Sequence, residues 1–188
     1  MHVDRTGFGH CIFGIRRNLH QLEYPLVKIL PASVDDADAI VAIWNPVIRD
    51  TTVTFNSVEK SPTDVAAMIK DRRAAGHAFL VARQGDDLLG FATYGQFRNG
   101  TGYAHTVEHT VILAGHAKSQ GVGRALMAAL EAHAHTNDIH SMVASVAAEN
   151  DAAIAFHKAL GFTQVAYIPE AGRKFGRWLD VVFLQKIL

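Results

Sequence analysis

The stretch Val111-Ile112-Leu113 … Lys118-Ser119-Gln120-Gly121-Val122-Gly123-Arg124-Ala125-Leu126-Met127-Ala128-Ala129-Leu130 decides how this chain folds. Its first part, with Thr110 ahead of it, is β-branched and reads as a strand. Its last part carries Leu126, Met127 and Leu130 at helical spacing. Between them, glycines at 121 and 123 let backbone approach a bulky anion. The helix that starts there offers unpaired N–H groups and the positive end of its dipole, which suits a phosphate. No Gly-Lys-Ser/Thr follows, so this is not a Walker loop, and two glycines do not make the dinucleotide fingerprint. An ordinary glycine-rich turn ahead of a core helix is the alternative.

On either side the chain alternates strand and helix signals. Upstream, Leu26–Leu30 reads as a strand and Asp35–Asn45 as a helix with Ala37, Ile40, Val41 and Trp44 on one face. Ser61-Pro62-Thr63-Asp64 starts a second helix, with Ser as N-cap and Pro at its first position. Strands follow over 78–83, 88–96 and about 103–113. Downstream, 142–147, 162–168 and 179–187 read as strands, and 151–160 as a helix. The order is β-α-α-β-β-β-α-β-α-β-β, a mixed α/β sheet rather than a regular βαβ repeat.

Composition limits the function classes. The chain has 188 residues, 18 basic and 18 acidic side chains, and 49% hydrophobic residues. That suits one domain with a real core. Zero net charge argues against a nucleic-acid partner. No apolar run reaches the ~18–20 residues that cross a bilayer. The single Cys11 fits a reducing compartment, hence a cytoplasmic protein. Residues 1–24 lack steady periodicity and an apolar segment of the secretory kind. They read as a loosely ordered extension, with residues 25–188 as the folded domain.

Two motifs give the fold and chemistry a family. Lys118-Ser119-Gln120-Gly121-Val122-Gly123 resembles the acetyl-CoA loop of the GNAT acyltransferase superfamily, Gln/Arg-x-x-Gly-x-Gly/Ala, with Lys in the first position. Glu149-Asn150-Asp151 followed by Phe156-His157-Lys158-Ala159-Leu160-Gly161-Phe162 resembles its second motif, at the family's usual separation. His105–Val111, Lys174–Asp180, Ile43-Trp44-Asn45 and Thr52–Phe55 are similar to the phosphinothricin and methionine-sulfone N-acetyltransferase subgroup.

The resemblance implies a GNAT fold whose sheet splays after the 103–113 strand, acetyl-CoA as co-substrate, and direct transfer without a covalent intermediate. It assigns CoA binding to Val111, Ile112, Leu113, Lys118, Ser119, Gln120, Gly121, Val122, Gly123, Arg124 and Asn150. It also implies a homodimer and a small amino-acid acceptor.

The eleven histidines raise the question of zinc. His105-x-x-Glu108-His109 matches H-x-x-E-H as a string, but that chemistry needs a helix. In a strand, His105 and His109 stand roughly 13 Å apart at ~3.3 Å per residue, with Glu108 on the other face. No metal is expected.

N-acetylation needs a deprotonated amine. Glu108, near the end of an apolar sheet, can take that proton directly or through water, and the subgroup resemblance assigns it this role. A surface glutamate, or a partner for Arg98, is the alternative. His157 stands where many relatives carry a tyrosine; it either returns a proton to the leaving thiolate or only contacts CoA. Arg98 and the Thr101-Gly102-Tyr103 turn precede the catalytic strand and suit an acceptor carboxylate. Phe55 and Trp44 give an apolar wall or belong to the core. Arg177-Trp178 fits an interface or the core. Three functions stay open: acetylation of a small amino acid or analogue, acetylation of a protein N-terminus such as a ribosomal-protein alanine, and CoA binding without catalysis.

Overall fold

The alternating pattern folds around one twisted sheet in the computed structural model, which describes residues 26–188. The expectation for residues 1–24 lies outside the described residues. The strands are β1 (Lys28–Pro31), β2 (Phe79–Gln84), β3 (Asp87–Gln96), β4 (Thr106–Leu113), β5 (Ser141–Ala147), β6 (Thr163–Lys174) and β7 (Arg177–Ile187). The helices are α1 (Ala37–Asp50), α2 (Pro62–Ala74), α3 (Val122–Thr136) and α4 (Asp151–Ala159). The sheet runs β1-β2-β3-β4-β5-β7-β6. Every pairing is antiparallel except β4 with β5.

Both faces of the sheet are covered, which explains why the central strands read as nearly continuous apolar runs. On one face α3 buries Leu126, Met127 and Leu130 completely against Ala92, Tyr94 and Val107. Each such side chain contributes roughly 1.5–3 kcal/mol. On the other face α1 and α2 set Ile40, Trp44, Ile48, Val65 and Ile69 against Phe79, Val81 and Phe91. The sequence expectation ends α1 at Asn45, yet it continues through Pro46 to Asp50. Ile40, Trp44 and Ile48 lie four apart on the buried face, and that burial outweighs the ~3 kcal/mol cost of an internal proline.

Two further boundaries differ. β4 starts at Thr106 because Thr101–Tyr103 closes into a 3₁₀ turn. β6 and β7 form one long hairpin, joined at Phe175-Gly176 with φ of 50° and 76°. Positive φ at both positions suits the right-handed twist of a hairpin.

The parallel pair is brief. β4 and β5 align only at Thr106↔Ser141, Val107↔Met142 and Glu108↔Val143. Beyond that point β4 stays with β3 through Leu113, and β5 follows β7 through Ala147. A wedge-shaped gap opens between them.

The start of α1 is clamped to the sheet by Asp36, which accepts from Arg83 and from the Ser33 N–H. Burial pushes the Asp36 carboxyl up, but the Arg83 hydrogen bond and the Ser33 amide outweigh it and hold the carboxyl below its ordinary value. A depressed carboxyl contributes stability above its unfolded pKa and loses it as pH falls through the folded value. Asp36→Asn is therefore expected to be less stable than the parent at pH 7. The difference should shrink as urea melts are taken from pH 5 towards pH 3. A constant difference across that range would contradict the clamp.

Candidate active site

The gap opens into a cavity of about 730 Å³. β4 lines it with Glu108 to Leu113, β5 with Ala144 to Ala147, and α4 with Asn150, Phe156 and His157. Strand alternation decides which backbone groups face the gap. Ala114 donates its N–H to Leu89 of β3 at 2.9 Å, and Ser141 donates to the His105 carbonyl at 3.1 Å. Odd-numbered residues of β4 thus turn towards β5, so Val111 and Leu113 present N–H and C=O groups where no partner strand remains. Ile112 is buried between them with its backbone turned to β3.

The glycine-rich loop forms the end of the cavity. Gly121 stands at φ 81°, a conformation open to glycine, and its side supplies no cap to the helix. The first internal bond of α3 is Ala125 N–H to the Gly121 carbonyl, at 3.0 Å. The N–H groups of Val122, Gly123 and Arg124 come before that bond and point out of the helix end. Lys118, Ser119 and Gly123 line the cavity; Gln120, Gly121 and Arg124 lie on the exposed rim, and Val122 is buried beneath it. Gln120 is tied back to the His116 carbonyl at 2.7 Å. This donor set, flanked by two cations, fits a pyrophosphate.

Asn150 caps α4, its Oδ1 accepting from Ala153 N–H at 3.1 Å, and it lines the cavity as well. Glu108 is half-buried on the β4 wall. Among the described residues neither Glu108 nor Arg98 forms an ion pair.

His157 is 5% exposed and His109 7%, and both reach the cavity. Their Nε2 atoms meet at 3.0 Å. His109 Nδ1 lies 2.9 Å from the Val143 carbonyl and His157 Nδ1 2.7 Å from the Ala153 carbonyl. Burial pushes both rings below the ordinary imidazole value. His157 next to it lowers His109 further, while the Ala153 carbonyl partly offsets the effect on His157. His105 turns elsewhere, to the Asp138 carbonyl at 2.7 Å.

The remaining wall belongs to the 51–61 connection between α1 and α2. Phe55 lines the cavity and packs on Gly172 of β6, whose missing Cβ leaves room for the ring. Trp44 serves both readings: it lines the cavity and packs on Phe91, ring centroids 4.8 Å apart. Lys174 is 4% exposed and donates to the Thr54 carbonyl at 2.7 Å. Glu149 accepts from Thr52 and from Arg177, so the wall is tied both to the β5–α4 turn and to the hairpin. Sequence reasoning quoted His109, Glu149 and Lys174 within its motifs but gave them no role, because the partner of each lies on a distant element. Arg98, Gly102 and Tyr103 fall in the exposed β3–β4 connection, outside the residues lining the cavity. Trp178 is exposed on the hairpin.

A mixed sheet that parts between two parallel strands, with a cavity in the gap and an uncapped helix N-terminus at its end, defines the class of fold. The chain belongs to the GNAT acetyltransferase family: the family described as "Acetyltransferase (GNAT) domain" matches residues 30–183. An L-methionine sulfoximine/L-methionine sulfone acetyltransferase of Pseudomonas aeruginosa is 37% identical over 162 residues, covering 84% of this chain and 92% of the relative. A phosphinothricin N-acetyltransferase of Alcaligenes faecalis is 36% identical over 155 residues, covering 82% and 79%. An acetyltransferase of Salmonella typhimurium, solved with its cofactor acetyl-CoA, superposes with a TM-score of 0.83 at 34% identity, covering 86% of this chain and 94% of that one.

Proposed function

We propose that the chain transfers acetyl from acetyl-CoA directly to the amino group of a small amino acid or analogue, of the methionine sulfone, methionine sulfoximine or phosphinothricin type. The observation that carries this reading is Glu108. It is a half-buried carboxylate with no ion-pair partner among the described residues, on the cavity wall at the last paired position before the strands separate. A protein that only binds CoA has no use for a base there.

The chain's residues divide the work as follows. The N–H groups at the start of α3, with Lys118, Ser119, Gln120 and Arg124 around Gly121, Val122 and Gly123, hold the pyrophosphate. The open edges of β4 and β5 hold the pantetheine arm, joined by Asn150. The N–H groups of Val111 and Leu113 polarise the acetyl carbonyl as an oxyanion site does. Glu108 takes a proton from the acceptor's ammonium, directly or through water. The amine then attacks the thioester carbon, the C–S bond breaks, and His157 returns a proton to sulfur. Cys11 lies outside residues 30–183, which supports transfer without a covalent intermediate. Phe55 and Trp44 give the acceptor an apolar wall.

In this reading the protein is a cytoplasmic homodimer. No helix of the described residues is long and apolar enough to cross a membrane. Tyr167, Ile168, Phe175 and Trp178 are each exposed on the β6–β7 hairpin, which leaves apolar side chains open to a second copy. Nucleic acid and metal have no part in it.

An acceptor panel tests the function by free thiol released from acetyl-CoA. Turnover is expected with at least one of methionine sulfone, methionine sulfoximine and phosphinothricin. Release with N-terminal alanine peptides alone would replace this reading with protein N-acetylation. Binding of acetyl-CoA with no acceptor turned over would replace it with a binding module.

A further inference from the structure

The His109–His157 pair has more hydrogen bonds to fill than a neutral pair has protons. Two neutral imidazoles carry two N–H groups. Three contacts need one each: His109 Nδ1 to the Val143 carbonyl, His157 Nδ1 to the Ala153 carbonyl, and the Nε2–Nε2 approach at 3.0 Å. With both Nδ1 atoms protonated, the Nε2 lone pairs face each other. With either Nδ1 bare, a lone pair faces a carbonyl oxygen. One extra proton, shared by the pair, fills all three contacts.

The surroundings decide which ring takes it. Val143 closes the paired register of β4 and β5, so its carbonyl holds His109 at the branch point of the sheet. With its Nδ1–H donated there, His109 offers Nε2 only as an acceptor. Phe162 packs on both imidazoles and Phe156 on His157, at 5.2–5.5 Å between centroids, and the rings are buried among them. The charged groups behind that shell are Lys186 and Glu131, paired with each other at 2.7 Å, with Lys186 over the Phe162 ring. Glu108 leaves β4 on the opposite face. Among the described residues His157 is the one titratable side chain hydrogen-bonded to His109.

We propose that His109 is a positioning residue that keeps the transferable proton on His157 Nε2. This rests on the reading of His157 as the acid. When the C–S bond breaks, the sulfur electron pair takes that proton, giving the free thiol and leaving His157 neutral with its Nδ1–H on Ala153. The acceptor nitrogen loses two protons over the reaction, one to Glu108 before attack and one after it. One of these refills the pair and the other is released. Because burial holds His157 below the ordinary value near ~6.5, its proton passes downhill to a thiolate whose parent thiol is near ~8.5. The acid form is lost as pH rises, so the pair sets the alkaline limb of kcat.

His109→Phe removes the acceptor and is expected to lower kcat about 10-fold at neutral pH, the scale of losing one hydrogen bond to a charged group. It should move the alkaline limb to lower pH and leave the KM for acetyl-CoA unchanged. His109→Gln keeps an acceptor oxygen and should restore most of kcat. Nitrogen-15 imidazole shifts of the wild-type protein should show His109 protonated at Nδ1 and bare at Nε2. A proton on His109 Nε2 would overturn the proposal, even if His109→Phe fails to fold. So would both His109 variants keeping the wild-type kcat and alkaline limb while His157→Gln loses activity. If His157→Gln itself retains full kcat, the acid reading fails first, and the role of His109 with it.

Discussion

Replacing Glu108 by Gln is expected to lower kcat by about 10²–10⁴-fold, the range for loss of a positioned general base. Gln keeps the size and hydrogen-bonding reach of the side chain, so β4 and its neighbours Gly95 and Val143 stay in register. Affinity for acetyl-CoA should not change, because in the proposed reading it is held by the open strand edges beyond the paired stretch, by Asn150 and by the 118–124 loop, not by the Glu108 carboxylate. The loss should be smaller for an acceptor whose amine is weakly basic, since such an amine arrives already deprotonated. Thiol release and acetyl-CoA titration measure the two quantities separately. A variant with wild-type kcat would reduce Glu108 to a hydrogen-bonding wall and remove the main support for catalysis at this cavity.

Gly90→Val is expected to cost about 2–3 kcal/mol, as overpacking of a close contact does. A Cβ at Gly90 would stand 2.6 Å from the Ile112 carbonyl oxygen and 2.6 Å from Leu113 Cδ2. Leu113 can turn its side chain, but a carbonyl oxygen moves only with the strand. β3 and β4 must therefore separate, and the N–H groups of Val111 and Leu113 move with them. For a chain of this size the melting temperature should fall by ~4–12 °C, and kcat should fall in the protein that remains folded. Gly115→Ala is the control: nothing lies within 4 Å of its Cβ position, and its backbone is in an ordinary region. Its stability should stay within about 0.5 kcal/mol of the parent. Equal melting temperatures for Gly90→Val and the parent would refute the close approach.

What could be read from the chain beforehand was local. The Gly121-Val122-Gly123 turn, the capping box at Ser61 and Asp64, and the buried stripe Leu126–Leu130 all signal within one or two helical turns. So did the strand character of residues 106–113, which set aside the H-x-x-E-H string. Periodicity is silent on contacts across the sheet. His109 meets a ring 48 positions away on α4. Phe55 fits against Gly172, and Glu149 gathers Thr52 and Arg177. These contacts exist only once the sheet has closed. Proximity in sequence also misleads: Arg98 and Tyr103 lie a few residues before Glu108. Yet the 3₁₀ turn at Thr101–Tyr103, and the Gln96 amide bonded to the Arg98 and Gly100 carbonyls, hold that connection in solvent.

Three register pairs between β4 and β5 join a half of four strands to a half of three. The molecule is a sheet with a seam. In the proposed reaction the substrate's amide-bearing arm lies along that seam as a surrogate strand, so the ligand is also mortar. Grip and cohesion then become one linked quantity by mass action. A substitution that loosens the seam would be felt first as a weaker hold on the acyl carrier, well before the protein unfolds.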